Sequence, residues 1–304
     1  SIISEDKELF VVDNIQYEDI KLIKQKINYN PAYIKLFDEI LVNAADHYIR
    51  TNEQVKNIKI DINIDSISIY NDGPGIPVEI HDTKKIWLPE MLFGRLMSGQ
   101  NFNDDEKRYV GGRNGFGASL TSIFSKKFIV ECADGKKKYT QTFSNNLGRK
   151  TTPVIEDCKK SYTKITYYPD FEKFGLIENT EDIIKILYKR SIDIAVYCNK
   201  ANVYFNDNLI KLKNFKDFVK LYINEEQEFF YEKIDDNWEI CIAKTDYDNF
   251  EQVSIVNGIN TYDGGTHVNY ITNQIVNAIS EQLQKKYKKG KINPNDIKRN
   301  LFLF

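Results

Sequence analysis

The chain has 304 residues, 41% of them hydrophobic and 28% charged, a balance that excludes a disordered or fibrous protein and allows two packed domains. Its 42 basic and 44 acidic side chains nearly cancel to a net charge of −2, so any binding of nucleic acid must come from a local patch. No apolar run reaches the ~18 residues a membrane-spanning helix needs, and the opening SIISEDKELF lacks the basic-then-apolar order of a secretory signal.

Residues 1–29 are acidic and mixed, with a weak helical pattern over Ile20–Ile27. Asn30 then supplies an N-cap, Pro31 suits the first helical position, and no Gly or Pro intervenes until past Arg50, so a helix of about five turns is expected. Ile34, Phe37, Ile40, Leu41, Ala44, Ala45 and Tyr48 form its apolar stripe, while Glu39, Asn43, Asp46 and Arg50 line the opposite side. Leu36 and Val42 flank Glu39 and Asn43. The polar line is therefore either a solvated face or the floor of a walled groove, where a carboxylate can orient a water and a carboxamide can coordinate Mg2+.

Ile58, Ile60, Ile62 and Ile64 alternate with polar residues, and Ile67, Ile69 and Asn71 continue the period of two after a turn at Asp65–Ser66, which predicts a hairpin. It ends in Asn71-Asp72-Gly73-Pro74-Gly75-Ile76-Pro77, a rigid exit at whose mouth Asp72 is expected to project its carboxylate. A short helix between Trp87 and Met97 precedes Ser98–Arg108, too polar for any core and expected to be a mobile surface loop.

Gly111-Gly112-Arg113-Asn114-Gly115-Phe116-Gly117 feeds the helical spacing of Ala118–Phe124. Glycines entering a helix N-terminus offer backbone N–H groups and a favourable dipole, so the segment is either an anion cradle or a plain connector. It is a poor Walker A loop: Gly112 and Gly117 have the spacing and Ser119 the hydroxyl, but Ala118 stands where the lysine should be.

Strands are expected at Phe128–Ala133, Lys138–Phe143 and Tyr162–Tyr168, an amphipathic helix at Asp182–Tyr197, and a hairpin of Asn202–Phe205 with Leu209–Leu212. From about Lys213 the pattern restarts with a helix at Phe215–Tyr222, strands at Trp238–Ala243 and Val253–Val256, and a long helix at His267–Tyr287. The chain stops on Asn300–Phe304, an apolar strand just begun, as expected of a fragment of a longer protein. Cys132, Cys158, Cys198 and Cys241 lack C-x-x-C spacing, which argues against a zinc site and fits an intracellular, reducing compartment. His47 reads as a helix-surface residue, His81 as part of a loop and His267 as a helix start; no nucleophile–histidine arrangement follows from their positions.

In order, FDEILVNAAD at Phe37–Asp46, NDGPGIP at Asn71–Pro77 and GGRNGFGASL at Gly111–Leu120 resemble the three nucleotide-binding boxes of the GHKL ATPases, which include gyrase, the mismatch-repair MutL proteins and histidine kinases. The wording is most similar to the ATPase region of eukaryotic-type DNA topoisomerase II, and the resemblance extends over nearly the whole chain. It implies an α+β fold: a GHKL (Bergerat) α/β sandwich on a mixed, mainly antiparallel sheet over residues 1–213, then a partial transducer domain of ribosomal S5-like type over residues 214–304. It also implies the N-terminal, ATP-dependent clamp of a type II topoisomerase, with ATP and Mg2+ as cofactors, a homodimer in the full-length enzyme and duplex DNA as partner. The alternatives are a MutL-like ATPase or a nucleotide-gated dimerisation module.

Carried over by position, the resemblance makes Glu39 the general base, Asn43 the Mg2+ ligand and Asp72 the acceptor for the adenine amino group. Ser98, Gly99, Gln100 and Asn101 would contact ribose and phosphate from the lid side. Gly112, Arg113, Asn114, Gly115, Phe116, Gly117, Ala118 and Ser119 would wrap the triphosphate with backbone N–H groups. Gly99-Gln100 replaces the family's usual pair of serines, and Ser119 replaces a lysine common in eukaryotic members, so Arg113 would compensate. The family's Gln-Thr-Lys loop lies beyond Phe304 and the N-terminal arm is short, so this chain alone is expected to bind nucleotide and hydrolyse it slowly. Lys285, Lys286, Lys288, Lys289 and Lys291 are either a solvated helix end or, as the resemblance implies, a sequence-nonspecific contact to DNA phosphates.

Overall fold

The structure, a computed structural model, describes residues 3–15, 18–94, 117–287 and 292–304. The chain divides into two compact units, Ser1–Lys211 and Leu212–Phe304. Among the described residues no helix is long and apolar enough to cross a membrane.

The first unit opens with strands β1 (Glu5–Val12) and β2 (Leu22–Tyr29), paired antiparallel from Glu5↔Tyr29 to Val12↔Leu22. The weak helical pattern at Ile20–Ile27 is thus overridden: Leu22 and Ile27 are buried on the same hairpin as Leu9, Val11 and Val12, and ladder pairing with a distant segment decides the backbone. Helix α1 (Pro31–Arg50) follows, with Asn30 Oδ1 accepting from Tyr33 N at 3.1 Å and Asn30 Nδ2 donating to the Phe174 carbonyl. Every residue of the expected apolar stripe is buried, joined by Tyr33 and Leu36.

Then come β3 (Asn57–Ile62), β4 (Ile67–Asp72), the short helices α2 (Leu88–Phe93) and α3 (Gly117–Ile123), and strands β5 (Ser125–Asp134), β6 (Lys137–Ser144), β7 (Arg149–Lys150), β8 (Val154–Asp157) and β9 (Ser161–Pro169). Helix α4 (Glu181–Tyr197) and a hairpin of β10 (Asn202–Phe205) with β11 (Asn208–Leu209) complete the unit. The hairpin turns at Asn206 and Asp207, both at positive φ, the geometry that matches strand twist in a two-residue turn.

These strands form a nine-stranded sheet in the order β11-β10-β3-β4-β9-β5-β6-β7, with β8 also on β6. Only β10 with β3 is parallel, so the sheet is mixed and mainly antiparallel as expected. Helices α1, α3 and α4 pack on it. One row across the sheet runs Val203, Ile58, Asn71, Thr163, Cys132, Tyr139, and the next runs Tyr204, Lys59, Tyr70, Lys164, Glu131, Thr140. Successive strand residues point to opposite faces. The first row is therefore the core-facing one, and Asn71 is a buried polar residue within it.

The second unit contains α5 (Phe215–Lys220), β12 (Phe229–Lys233), β13 (Glu239–Lys244), β14 (Glu251–Gln252), β15 (Ile255–Val256), β16 (Ile259–Asn260), α6 (Thr266–Tyr287), α7 (Pro294–Lys298) and β17 (Leu301–Leu303). The expected strand Val253–Val256 is two short strands with Val253 and Ser254 between them, β14 pairing with β17 and β15 with β16. Strand β17 is interior, antiparallel to β13 and parallel to β14, and Leu301 packs with Val276 and Ile297.

Candidate functional site

Helix α1 supplies one wall of a cleft in the first unit. The Glu39 side chain is 28% exposed and its Oε1 lies 2.9 Å from Lys35 Nζ. Its other oxygen packs against the main chain of Gly117, where a Cβ would overlap both Oε2 and the carboxyl carbon. Gly117 is a glycine because of this close approach, and Glu39 thereby lies at the first residue of α3, where a helix favours negative charge. Thr121 ties the two helices together, its hydroxyl placed to donate to the carbonyls of Leu36 and Gly117 at 3.2 and 3.1 Å.

One turn further, Asn43 lines a cavity with Ile40, His47, Arg50, Asn71, Ile76, Phe93 and Thr163. Its carboxamide makes no hydrogen bond among the described residues. The polar residues of α1 that line this cavity are Asn43, His47 and Arg50, and Glu39 lies one turn before them against Gly117. Asp46, expected on the same polar line, is not among the lining residues; its charge instead acts on Tyr197 and Cys198 at the end of α4.

Across the cavity stands the end of β4, where the Asp72 carboxylate has partners of its own. Its Oδ1 accepts from Lys56 N at 2.7 Å and Asn57 N at 2.9 Å, and its Oδ2 from Asn57 Nδ2 at 2.7 Å. The carboxylate thus closes the start of β3 on the side away from the cavity. The cavity-lining residue is its neighbour Asn71, 7% exposed, with its Nδ2 donating to the Asp72 carbonyl at 2.8 Å. Strand parity explains the exchange: Asn71 continues the buried series Ile67, Ile69, and Asp72 cannot share that face.

The turn beyond is pinned at several points. Gly73 has φ +94°, and a Cβ on Gly75 would overlap the Ala133 carbonyl. Val78 N donates to Asp134 Oδ2 at 2.9 Å. Burial acts to raise the Asp134 pKa, but N–H donors from Lys137, Val78 and Lys136 outweigh it and hold the carboxyl below its ordinary value. His47 Nε2 lies 2.7 Å from the Pro74 carbonyl, so that nitrogen carries the proton. Burial pushes the His47 pKa down; the Pro74 hydrogen bond opposes this and the Arg50 charge adds to it. His47 is therefore a brace between α1 and the turn, a role its sequence position hid, although its i+4 spacing from Asn43 could have suggested it.

Ser98, Gly99, Gln100, Asn101, Gly112, Arg113, Asn114, Gly115 and Phe116 lie outside the described residues. The side chains of Ala118 and Ser119 are 2% and 1% exposed, so what they can offer a ligand is main chain. Among the described residues no cluster of three His, Cys, Asp or Glu side chains could hold a metal. A free carboxamide beside a carboxylate still suits a hard cation that takes most of its ligands from water and phosphate. Lys285 and Lys286 end α6 in the second unit, exposed, while Lys288, Lys289 and Lys291 lie outside the described residues.

Known proteins resemble this chain in sequence and fold. Residues 30–169 match the family described as histidine kinase-, DNA gyrase B-, and HSP90-like ATPase, and residues 212–304 match DNA gyrase B. A DNA topoisomerase 2 of Pisum sativum is 43% identical over 302 residues, 95% of this chain and 20% of that protein. A probable DNA topoisomerase 2 of Dictyostelium discoideum is 43% identical over 310 residues, 99% of this chain and 20% of that one. The chain thus spans about a fifth of the length of these relatives. The crystal structure of the ATPase region of Saccharomyces cerevisiae topoisomerase II superposes with a TM-score of 0.88 at 41% identity, covering all of this chain and 79% of that one.

Proposed function

Because this chain belongs to the DNA topoisomerase II family, within its GHKL-type ATPase region, we propose that it is the ATP-driven clamp of a type II DNA topoisomerase. In this reading ATP binding closes a gate between two copies of the protein, one DNA duplex is passed through another, and hydrolysis resets the gate. A MutL-like mismatch-repair ATPase is not favoured, since residues 212–304 match DNA gyrase B and the relatives above carry the name topoisomerase.

One observation carries the chemistry: a turn apart on α1, Glu39 lies against Gly117 and Asn43 lines a cavity with Asn71. Glu39 accepts a proton from the water that attacks the γ-phosphate, its Oε1 lying 2.9 Å from the Lys35 ammonium. Asn43 would hold Mg2+, which would supply charge neutralisation for the phosphates. Asn71 takes the adenine-facing place that the resemblance gives to Asp72, because its carboxamide lines the cavity and the Asp72 carboxylate is consumed elsewhere. By the resemblance, Gly112 to Ser119 are assigned to the triphosphate, with Arg113 as the cation, and Ser98 to Asn101 to the ribose and phosphate. Lys285 and Lys286, with Lys288, Lys289 and Lys291, meet DNA phosphates without reading sequence.

The test is Glu39→Gln. Turnover should fall about 10²–10⁴-fold, the usual contribution of a positioned base, while affinity for a non-hydrolysable ATP analogue holds. Unchanged turnover would remove Glu39 from the chemistry. Mass measurement with the analogue bound should report a dimer.

A further inference from the structure

Away from the cleft, a buried ion network joins α1 to α4. Lys189, Arg190 and Asp193 on α4 have side chains 2%, 1% and 0% exposed. Lys189 Nζ and Arg190 Nη1 both reach Asp193 Oδ2, at 2.9 and 2.7 Å. The guanidinium also reaches α1, where Arg190 Nε donates to Asp38 Oδ1 at 2.7 Å. Asp38 is the residue before Glu39. Burial lifts the Asp38 carboxyl above its ordinary pKa, and the Arg190 charge and hydrogen bond act against that lift.

Adhesion between the helices does not explain this arrangement. Taking two cations and two carboxylates out of water is costly, and apolar side chains of similar shape hold helices together at least as well. What apolar packing lacks is direction. The stripe of α1 rests on Ile, Leu, Ala and Phe side chains, which resist rotation of the helix about its axis only weakly, whereas a charge-assisted hydrogen bond has a fixed length and angle. A rotation of roughly 10° moves a carboxylate about 6 Å from the axis by about 1 Å, an error on the scale that costs about 10²-fold in rate.

We propose that Arg190 is a positioning residue: anchored on α4 by Asp193, its guanidinium grips Asp38 and sets the rotation of α1 so that Glu39 is aimed at the attacking water. The proposal rests on the reading of Glu39 as the base.

The experiment compares Arg190→Met, Asp38→Ala and the double variant with Glu39→Gln in the 304-residue chain. Turnover at saturating ATP and Mg2+, affinity for a non-hydrolysable ATP analogue, and hydrogen exchange of α1 amides without nucleotide are measured. Arg190→Met should lower turnover at least about tenfold, leave analogue affinity within about threefold, and speed exchange across Glu39–Asn43. Asp38→Ala should do the same, and the double variant should be no worse than either, because both remove one link. Arg190→Met leaves Lys189 paired with Asp193; if it nevertheless fails to fold, Asp38→Ala decides, since Asp38 is 18% exposed and its loss leaves Arg190 paired. Turnover and affinity falling together, or single effects that multiply in the double variant, would overturn the proposal. If Glu39→Gln abolishes turnover while Asp38→Ala and Arg190→Met preserve it, the base stands and the positioning role falls; if Glu39→Gln itself preserves turnover, both fall.

Discussion

Among the described residues, α1 and α6 are the two longest helices, at 20 and 22 residues, and both carry an amphipathic pattern with a polar line. Their surroundings differ. Helix α1 buries nine residues, and its polar line faces the main chain of Gly117 and the side chain of Asn71. Helix α6 buries only Val268, Thr272 and Val276, and its charged end at Lys285 and Lys286 is exposed. The same periodicity thus produces a walled cleft in one place and a solvated surface in the other. What separates them is the segment the fold brings opposite, which a helix's own sequence does not encode.

The sharpest way to break the contrast is to disturb that opposite segment. Gly117→Ala places a methyl where the Glu39 carboxylate now lies. Because the obstructed atoms are mainly the mobile end of a side chain, the carboxylate should swing away at a stability cost near the low end of the ~1–3 kcal/mol typical of overpacking. Turnover should drop about 10–100-fold by displacement alone. Steady-state ATPase together with a thermal midpoint distinguishes this from simple unfolding; full activity would mean that the Glu39–Gly117 contact is idle.

The neighbours Asn71 and Asp72 offer a second, smaller test. Asn71→Ala should weaken binding of an ATP analogue about tenfold, roughly 1.4 kcal/mol, with little change in stability. Asp72→Ala should do the reverse, losing about 1–2 kcal/mol of stability as Lys56 N and Asn57 N lose their charged acceptor, with affinity kept. Titration calorimetry and denaturant unfolding on both variants would show the two phenotypes crossed if the assignment to Asn71 is mistaken.

That exchange also marks how far the sequence was legible. The alternation Ile67, Ile69, Asn71 already placed Asn71 on the buried face and Asp72 on the other, so the parity on which the proposed role of Asn71 rests was legible. Helix α1, strands β3 to β6 and β9, and helix α4 were readable because each has its own period and caps. Strands β1 and β2 were not, since neither is amphipathic alone and each exists through its partner. The same limit applies to His47, whose partner is a carbonyl 27 residues away at Pro74, and to the link from Asp38 to Arg190 across 152 residues.

His47 supplies a pH-dependent version of the contrast, smaller again. Its folded pKa is depressed by burial, so the unfolded chain takes up the proton first. The buried neutral imidazole therefore carries no charging penalty above about pH 6.5, the ordinary histidine value. Stability is lost as pH falls through that value toward the lowered one, because burial disfavours the imidazolium. Denaturant midpoints between pH 7.5 and 5 should fall more steeply for the native chain than for His47→Gln; parallel curves would mean that His47 is not the responsible group.

The smallest effect is expected on α6, and it sets the two readings of its basic end against each other. Lysines in the last turn of a helix complement its dipole and are each worth ~0.3–1 kcal/mol at most when exposed, whether or not DNA is present. Neutralising Lys285 and Lys286 with Gln should therefore shift the thermal midpoint only slightly. If the pair also meets phosphates, the dependence of duplex binding on log salt should become shallower by ~0.9 for each phosphate no longer neutralised, uniformly across DNA sequences. An unchanged salt slope beside the small stability loss would leave Lys285 and Lys286 as a solvated helix end, making α6 the purely structural counterpart of α1. A shallower slope would show that a charged line needs no opposing wall when its ligand is itself a polyanion.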